Sequence, residues 1–387
     1  MTTAPIRLGG ERIVQGCGSI EYLKQLHGKR AAVFSTNSIV KNGYYERIIS
    51  LLDSAGIESE GYLKFRLNPS FEDVQDGADF LKELHADIVV AAGGGTVMDA
   101  AKVMWVLYEN PQLKTFESVI ENMDNLSLGG NAVFVCIPTT SGSGSEVSKS
   151  GVITDSRDHR KVPIRNLMMV PNIAILDPEI TLSLPKVLTA ETGIDALTHH
   201  LESLVSPKAN MISDAIAYSG ALEVVRWLPK AYDNGENLES RERMMLCSTM
   251  GGLAFSAASL GLSHGIAHAI GAKVNLPHGL INAILLPIVI RFNSSHKIAR
   301  EKYSTVAKAL GEDDLSAIVQ RLGKMLSIPD TMQKAMNDDR LFEEKLEEMA
   351  NDSLQDGLTI LNCVRPDKDD MIRILHEAYY GTDKHAN

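Results

Sequence analysis

The first half of the chain alternates continuous apolar runs with amphipathic stretches. Four of the runs end in turn signals: KRAAVFSTN, ADIVVAAGGG, NAVFVCIPTTSGSG and PNIAILDP. Continuous apolar strands are typical of a parallel sheet that is buried on both faces. Stretches such as NGYYERIISLLDSAG and SFEDVQDGADFLKELH supply the intervening helices. We therefore predict a doubly wound α/β layout, in which ligands collect at the carboxyl ends of the strands.

The pattern changes after LDPEITLSLP. The strand-like runs disappear, and long helical periods take over in KVLTAETGIDALTHHLESLVS, SRERMMLCSTMGGLAFSAA and DDMIRILHEAYY. A chain of 387 residues is also longer than the roughly 250–300 residues at which single cores stop growing. We predict an α/β domain over residues 1–178 and an all-helical domain over residues 179–387.

The composition of the chain limits the kinds of molecule that the protein can bind. The formal net charge of −11 argues against nucleic acid and against an anionic membrane surface. The longest apolar runs, such as LINAILLPIVI, are shorter than the roughly 20 residues of a membrane helix, and the N-terminus lacks an apolar leader. Four scattered cysteines without a CxxC pair indicate reduced thiols. We expect a cytoplasmic protein that acts on a small molecule.

One carboxylate and three imidazoles form a candidate metal site. Asp195 and His199 are four residues apart in GIDALTHHLE, which places them on one face of a helix. His264 lies in GLSHGIAHAIG, and His278 lies in a Pro-His-Gly turn. An Asp/His₃ set suits Fe(II) or Zn(II), and both metals remain compatible with it.

In the alternative interpretation, Asp195 and His199 form a pair on the helix surface, or His199 is a buried histidine that is hydrogen-bonded within the protein. Five of the eleven histidines, however, lie between residues 199 and 278, in an apolar segment that is poor in other charges. Buried imidazoles cost free energy unless they are paired or ligated. This concentration favours metal binding.

Two turns suit the phosphates and sugars of a nucleotide. Residues 93–96 (GGGT) follow one strand and open a helix, whose N-terminus offers free N–H groups. Residues 138–146 (PTTSGSGSE) follow a second strand and are dense in hydroxyls. Taken singly, the first is equally a tight strand–helix connection and the second a flexible loop. Asp99 and Lys102, in the helix after the first turn, form either a solvated pair or a contact to the nicotinamide ribose.

These motifs resemble the iron-containing (group III) alcohol dehydrogenase family. The likeness extends over nearly the whole chain and is most specific in GGGTVMDAAK, PTTSGSGSEVS, GIDALTHHLES and GLSHGIAHAIGAKVNLPHGLINAILLP. MDAAKVMWVLYENP also resembles the alcohol dehydrogenase half of bifunctional aldehyde–alcohol dehydrogenases. The resemblance implies a divalent metal, NAD or NADP, and a homodimer or larger homo-oligomer.

The resemblance also implies roles for individual residues. The implied metal ligands are Asp195, His199, His264 and His278. The implied cofactor-binding residues are Thr36, Asn68, Gly94, Gly95, Thr96, Asp99, Thr139, Thr140, Ser143 and Lys161. His268 matches a histidine beside the metal and is our candidate to relay the proton, while Phe255 matches an aromatic wall of the substrate pocket.

Three positions depart from the family pattern. Thr36 stands where NAD-using relatives often carry an aspartate, so no carboxylate repels a 2′-phosphate and NADP(H) is admissible. Lys149 is either a solvated lysine or a cationic anchor for an aldehyde with a carboxylate, sulfonate or phosphonate tail. The common Asn-Pro-Arg of the family reads Asn362-Cys363-Val364-Arg365, which alters the floor of the pocket.

We therefore expect a metal-dependent, NAD(P)-linked alcohol dehydrogenase or aldehyde reductase that acts on short primary alcohols by direct hydride transfer. One alternative is a metal- and NAD-dependent lyase or cyclase resembling dehydroquinate synthase. Its polyanionic substrate would require a richer set of basic residues than Lys149 alone. A non-catalytic metal or nucleotide sensor is the third hypothesis.

Overall fold

A computed structural model describes residues 6–66, 68–157 and 161–382. By its contacts the chain divides into two compact units. The first unit comprises the residues up to Leu184 together with Glu236–Gly252, and the second comprises Pro185–Gly235 and the residues from Leu253 onward. Glu236–Gly252 therefore belongs to the first unit, although it follows helices of the second in sequence.

A parallel sheet forms the centre of the first unit. The strands in the described residues are β1 (Arg12–Gln15), β2 (Arg30–Phe34), β3 (Glu58–Tyr62), β4 (Ile88–Gly93), β5 (Val133–Pro138), β6 (Ser150–Thr154), β7 (Lys161–Arg165) and β8 (Ile173–Leu176). Six of them form one all-parallel sheet in the order β1-β8-β5-β4-β2-β3. β6 and β7 form a separate antiparallel hairpin.

The helices flank this sheet and make up the second unit. In chain order they are α1 (Asn37–Lys41), α2 (Tyr44–Ser54), α3 (Phe71–Leu84), α4 (Gly95–Glu109), α5 (Phe116–Glu121), α6 (Lys186–Val205), α7 (Met211–Asp233), α8 (Leu238–Ala258), α9 (Leu262–Val274), α10 (His278–Asn293), α11 (Lys297–Ala309), α12 (Leu315–Met325), α13 (Met332–Met336), α14 (Asp339–Gln355), α15 (Gly357–Ile360) and α16 (Lys368–Tyr380).

The sheet is covered on both faces. Ala31 and Val33 of β2 pack into one apolar core, whereas the alternating Ala32 and Phe34 pack into another with α3 and α4. All four side chains are fully buried. The predicted doubly wound parallel sheet and helical second half are confirmed, since no described residue from 186 to 382 belongs to a strand.

The order of the strands marks where a ligand should bind. The chain runs outward from β2 to β3 and then returns to the other side of β2 with β4. In open α/β sheets the ligand crevice lies outside the carboxyl ends of the strands at such a reversal. Thr36 follows β2 closely, and the GGGT turn follows β4, so both lie at this point.

The second unit is built around a buried core that α9, α10, α14 and α16 share. Among the described residues, no single helix has the length and apolar composition to span a membrane. α8 and residues 262–271 meet that test only when taken together.

Candidate active site

Helix α6 carries two of the predicted ligands. Asp195 and His199 lie one turn apart on it, with Asp195 Oδ2 at 4.0 Å from His199 Nε2. Both residues are buried. A helix presents residues four apart on the same face, so both side chains point toward the same neighbours.

The other two imidazoles come from α9 and α10. His264, in the first turn of α9, has its Nε2 atom 3.6 Å from Asp195 Oδ1. α9 ends at Asn275, whose φ of 50° is left-handed, and Pro277 precedes His278 at the start of α10. This turn brings His278 Nε2 to 3.8 Å from Asp195 Oδ1. Potential ligand atoms of Asp195, His199 and His264 lie within 4.8 Å of one another.

The electrostatics of the cluster favour a positive charge at its centre. Burial alone raises the pKa of Asp195, but the three imidazoles outweigh it and hold that pKa well below its usual range. Burial lowers the pKa of His264, but Glu202 and Asp195 outweigh it and raise that pKa to about 9. The Nε2 atom of His264 is buried and has no hydrogen-bond partner among the described residues. A divalent cation would satisfy both this nitrogen and the carboxylate.

Two polar residues that the sequence analysis did not identify support the cluster. Glu202, three residues after His199 on α6, accepts a hydrogen bond from Nδ1 of His264 at 2.7 Å. Asn282, one turn after His278, donates to Asp195 Oδ1 at 2.9 Å and lies 3.1 Å from His278 Nε2. The helical spacing from His199 could have indicated Glu202. The spacing from His278 on α10 could have indicated Asn282 in the same way.

His268 and Phe255 lie beside the imidazoles. The ring of His268 stacks on that of His278 with centroids 5.4 Å apart. Its Nδ1 atom is 3.6 Å from a carboxylate oxygen of Asp356. The ring of Phe255 lies 4.8 Å from that of His199. The structure therefore brings all six predicted residues of the second unit into one cluster.

The two predicted nucleotide turns are adjacent in the first unit. Gly93 pairs with Pro138 at the ends of β4 and β5, and the N–H of Thr139 donates to the carbonyl of Gly93 at 3.0 Å. A Cβ atom at Gly95 would lie 2.9 Å from Cβ of Ser143, so only glycine permits this approach without a shift. A Cβ atom at Gly94 would lie 3.5 Å from Cγ2 of Thr140, which is an ordinary van der Waals distance.

Asp99 and Lys102 hold the second turn in place. Asp99 accepts hydrogen bonds from Ser145 Oγ at 2.5 Å and from the N–H of Val152 at 3.2 Å. Lys102 is fully buried and donates to Ser148 and to the carbonyl of Ser150. The interpretation of these two residues as a solvated pair is therefore wrong.

The remaining predicted residues of the first unit are less closely grouped. Thr36 caps α1, and its hydroxyl lies 2.8 Å from that of Ser38. Burial raises the pKa of Asp99, and the charge of Lys161, at the start of β7, is close enough to oppose that rise in part. Lys149 is half-buried, and Asn68 and Thr96 are exposed.

Comparison with known proteins agrees with this arrangement. The model of the iron-containing alcohol dehydrogenase domain matches residues 10–178, and that of the C-terminal domain of the Fe-containing alcohol dehydrogenase family matches residues 189–379. The chain is 35% identical over 381 residues to the NADPH-dependent butanol dehydrogenase of Clostridium saccharobutylicum, which covers 96% of this chain and 97% of that protein.

Two solved structures extend the likeness to the fold. An iron-containing alcohol dehydrogenase from Thermococcus thioreducens superposes with a TM-score of 0.88 and 31% identity, covering 97% of this chain and 100% of that one. Sulfoacetaldehyde reductase from Bifidobacterium kashiwanohense, in complex with NAD⁺, gives a TM-score of 0.85 and 25% identity, covering 99% and 100%.

These features are those of a metal-dependent dehydrogenase: a parallel sheet, two turns that suit the phosphates of a nucleotide, and a buried Asp/His cluster. The chain belongs to the iron-containing alcohol dehydrogenase family. It is an NAD(P)-linked oxidoreductase, and its substrates are small alcohols and aldehydes.

Proposed function

We propose that the protein interconverts short primary alcohols and their aldehydes, with Asp195, His199, His264 and His278 as ligands of one divalent ion. The observation that carries this proposal is the buried Nε2 atom of His264, which lies beside the carboxylate of Asp195 and has no hydrogen-bond partner in the part of the chain that the structure describes. A buried nitrogen without a partner is costly, and a cation removes that cost. Iron and zinc both suit this set.

Individual side chains have separate roles in the reaction. A divalent ion held by these four ligands would supply Lewis acidity at the substrate oxygen, and a bound nicotinamide would accept or supply the hydride of the carbinol carbon. His268 moves the alcohol proton toward solvent, because it lies one turn beyond His264 and its side chain is 15% exposed. Phe255, against the ring of His199, excludes water from one side of the substrate.

The cofactor is held in the first unit. The turns that contain Gly94, Gly95 and Thr96, and Thr139, Thr140 and Ser143, offer backbone N–H groups and hydroxyls to a pyrophosphate. Thr36, Asn68, Asp99 and Lys161 are the further contacts. We propose that NADP(H) is accepted as well as NAD(H), since Thr36 supplies a hydroxyl where a carboxylate would repel the 2′-phosphate. The butanol dehydrogenase relative is named as NADPH-dependent.

Lys149 is the candidate for selecting substrates with an anionic tail. It lies directly after the SEVS segment, and its carbonyl accepts a hydrogen bond from the N–H of Asn166 at 3.1 Å. A lysine held near the reacting carbon would bind a carboxylate or sulfonate. The solved relative that reduces sulfoacetaldehyde, an anionic aldehyde, supports this role of Lys149.

The wider organisation follows the same family. We propose a nucleotide-binding domain over residues 1–178 and a metal- and substrate-binding domain over residues 179–387. We also propose a homodimer or larger homo-oligomer, supported by the exposed Ile6, Leu8 and Ile13 at and before the edge strand β1. The scattered cysteines support a cytoplasmic location.

The test is reconstitution under anaerobic conditions with Fe(II) or Zn(II), followed by oxidation of NADH and NADPH with neutral and anionic short aldehydes. We expect turnover that depends on added metal and is removed by a chelator. Bound metal and nucleotide without turnover of any aldehyde would overturn the proposal and favour the lyase class. The matched control is Asp195→Ala, treated identically.

A further inference from the structure

We propose that Glu202 is a positioning residue: it fixes which imidazole nitrogen of His264 faces the metal. This inference rests on the proposed metal site. Glu202 lies on α6 with Asp195 and His199, but its carboxylate turns to the other side of the His264 ring. It acts through His264 rather than by touching substrate or cofactor.

The surroundings of Glu202 supply hydrogen-bond donors to both oxygens of its carboxylate. The residue is 1% exposed. Its Oε1 atom accepts from the N–H of Ser263 at 2.5 Å, and Oε2 accepts from the N–H of Gly261 at 3.1 Å and from His264 Nδ1 at 2.7 Å. The two N–H groups belong to the N-terminus of α9, where the helix dipole favours a negative charge. The carboxylate of Glu202 therefore accepts hydrogen bonds from three donors.

The tautomer of His264 follows from these contacts. An imidazole that binds a metal is neutral and carries one proton, and an acceptor at Nδ1 places that proton on Nδ1. The Nε2 atom then keeps its lone pair, and this is the atom that lies 3.6 Å from Asp195 Oδ1 without a partner of its own. Carboxylates that orient a ligating histidine in this way typically contribute about 10–100-fold to metal affinity.

The variant Glu202→Gln tests the hydrogen bonds that fix the tautomer. The amide keeps the size of the side chain but replaces one acceptor oxygen by a donor. If the NH₂ group takes the position of Oε2, two donors face each other at the N–H of Gly261. Nδ1 of His264 must then accept a hydrogen bond, so the ring carries its proton on Nε2. If it takes the position of Oε1, it opposes the N–H of Ser263. Either arrangement breaks the set of three accepted hydrogen bonds.

The matched control is Asn362→Ala. Asn362 accepts from the N–H of Leu262 at 3.2 Å, so it caps the same helix end as Glu202. It also exchanges hydrogen bonds with Asn293 and donates to the carbonyl of Val364, and among the described residues it makes no hydrogen bond to an imidazole. If Glu202 only capped α9, both variants would weaken metal binding to a similar extent.

The readout is the affinity of the folded protein for Zn²⁺, measured by competition with a chromophoric chelator, and the visible spectrum with Co²⁺. We expect Glu202→Gln to lose at least about 10-fold in affinity and to change the spectrum, and Asn362→Ala to stay within about 3-fold of wild type. Wild-type affinity in Glu202→Gln, or equal losses in both variants, would overturn the inference alone. A wild-type protein that binds no Zn²⁺ would overturn the metal site and this inference with it.

A second measurement keeps the inference testable if Glu202→Gln does not fold. Long-range ¹H–¹⁵N spectra of wild-type protein, labelled at histidine and loaded with Zn²⁺, distinguish the two ring nitrogens. We expect His264 to carry its proton on Nδ1 and to bind the ion through Nε2. Binding through Nδ1 would contradict the role of Glu202.

Discussion

Glu146 and Thr249 share a hydrogen bond inside the first unit, in which Thr249 Oγ1 donates to Glu146 Oε1 at 2.7 Å. The second carboxyl oxygen of Glu146 is buried and has no partner among the described residues. Burial raises the pKa of Glu146, although Thr249 and Lys102 act in the opposite direction. The folded protein therefore favours the neutral form of this carboxyl, at the last residue of the second nucleotide turn, more than the unfolded chain does.

Glu146→Gln should stabilise the protein, and more so at high pH. The carboxyl ionises near 4.5 in an unfolded chain and at higher pH in the folded protein. The wild type consequently loses stability as the pH rises from 4.5 to the folded pKa, whereas the amide cannot ionise. We expect a gain of about 1 kcal/mol at pH 8, which is about 1 °C in Tm for a chain of 387 residues, and a smaller gain at pH 4.5. Equal gains at both pH values in calorimetry would contradict the burial argument.

Thr36→Asp should shift cofactor preference from NADPH toward NADH. The new carboxylate would repel the 2′-phosphate of NADPH and accept from the 2′-hydroxyl of NADH. We expect kcat/KM for NADPH to fall roughly tenfold or more relative to NADH. Thr36→Asn is the control, because it has the same size without the charge and should leave the ratio nearly unchanged. Parallel loss with both cofactors would place Thr36 outside the adenosine site.

Asp195→Ala should abolish turnover and leave the fold largely intact. The substitution removes the carboxylate around which His199, His264 and His278 gather. We expect activity to fall to roughly 1% of wild type or less, since the Lewis acid is lost. Circular dichroism should stay native while bound metal, measured by mass spectrometry, disappears. Asp214→Ala, which removes a carboxylate paired with Lys302 instead, should keep its metal. Normal turnover by metal-stripped Asp195→Ala would refute the site assignment.

Lys149→Ala should weaken the binding of anionic aldehydes selectively. A charge-assisted hydrogen bond to the substrate tail is worth roughly 1.5–3 kcal/mol, so KM for succinic semialdehyde should rise about tenfold or more. KM for propionaldehyde should stay close to wild type. Lys114→Ala removes an exposed lysine and the same net charge, and it should change neither value. An equal rise for both aldehydes would remove the anchor.

The sheet could be predicted where its strands are buried. β2, β4, β5 and β8 read as continuous apolar runs, and all four lie in the interior of the sheet. β1 and β3 lie at its edges and are partly exposed, so their sequences RIVQ and ESEGY carry no such signal. The β6–β7 hairpin was missed for a similar reason, since most of β7 is only half-buried.

Only part of the candidate metal cluster could be predicted from the sequence. Asp195 and His199 follow from helical spacing, because one element presents both. The contact of Asn282 with Asp195 depends on how α10 packs against α6, and no local pattern reports that packing. Similarly, the role of Lys102 in holding Ser148 required the three-dimensional path of the chain after β5.

The ligands of the cluster come from α6, α9 and α10, and two long helices separate the first of these from the second in sequence. No short segment of the unfolded chain can assemble them, so an ion binds the folded protein far better than the unfolded one. Metal then stabilises the fold by mass action, by about 2.7 kcal/mol at a hundred times its Kd. Loading follows folding, and the pool of free iron or zinc that the newly folded chain meets selects its occupant.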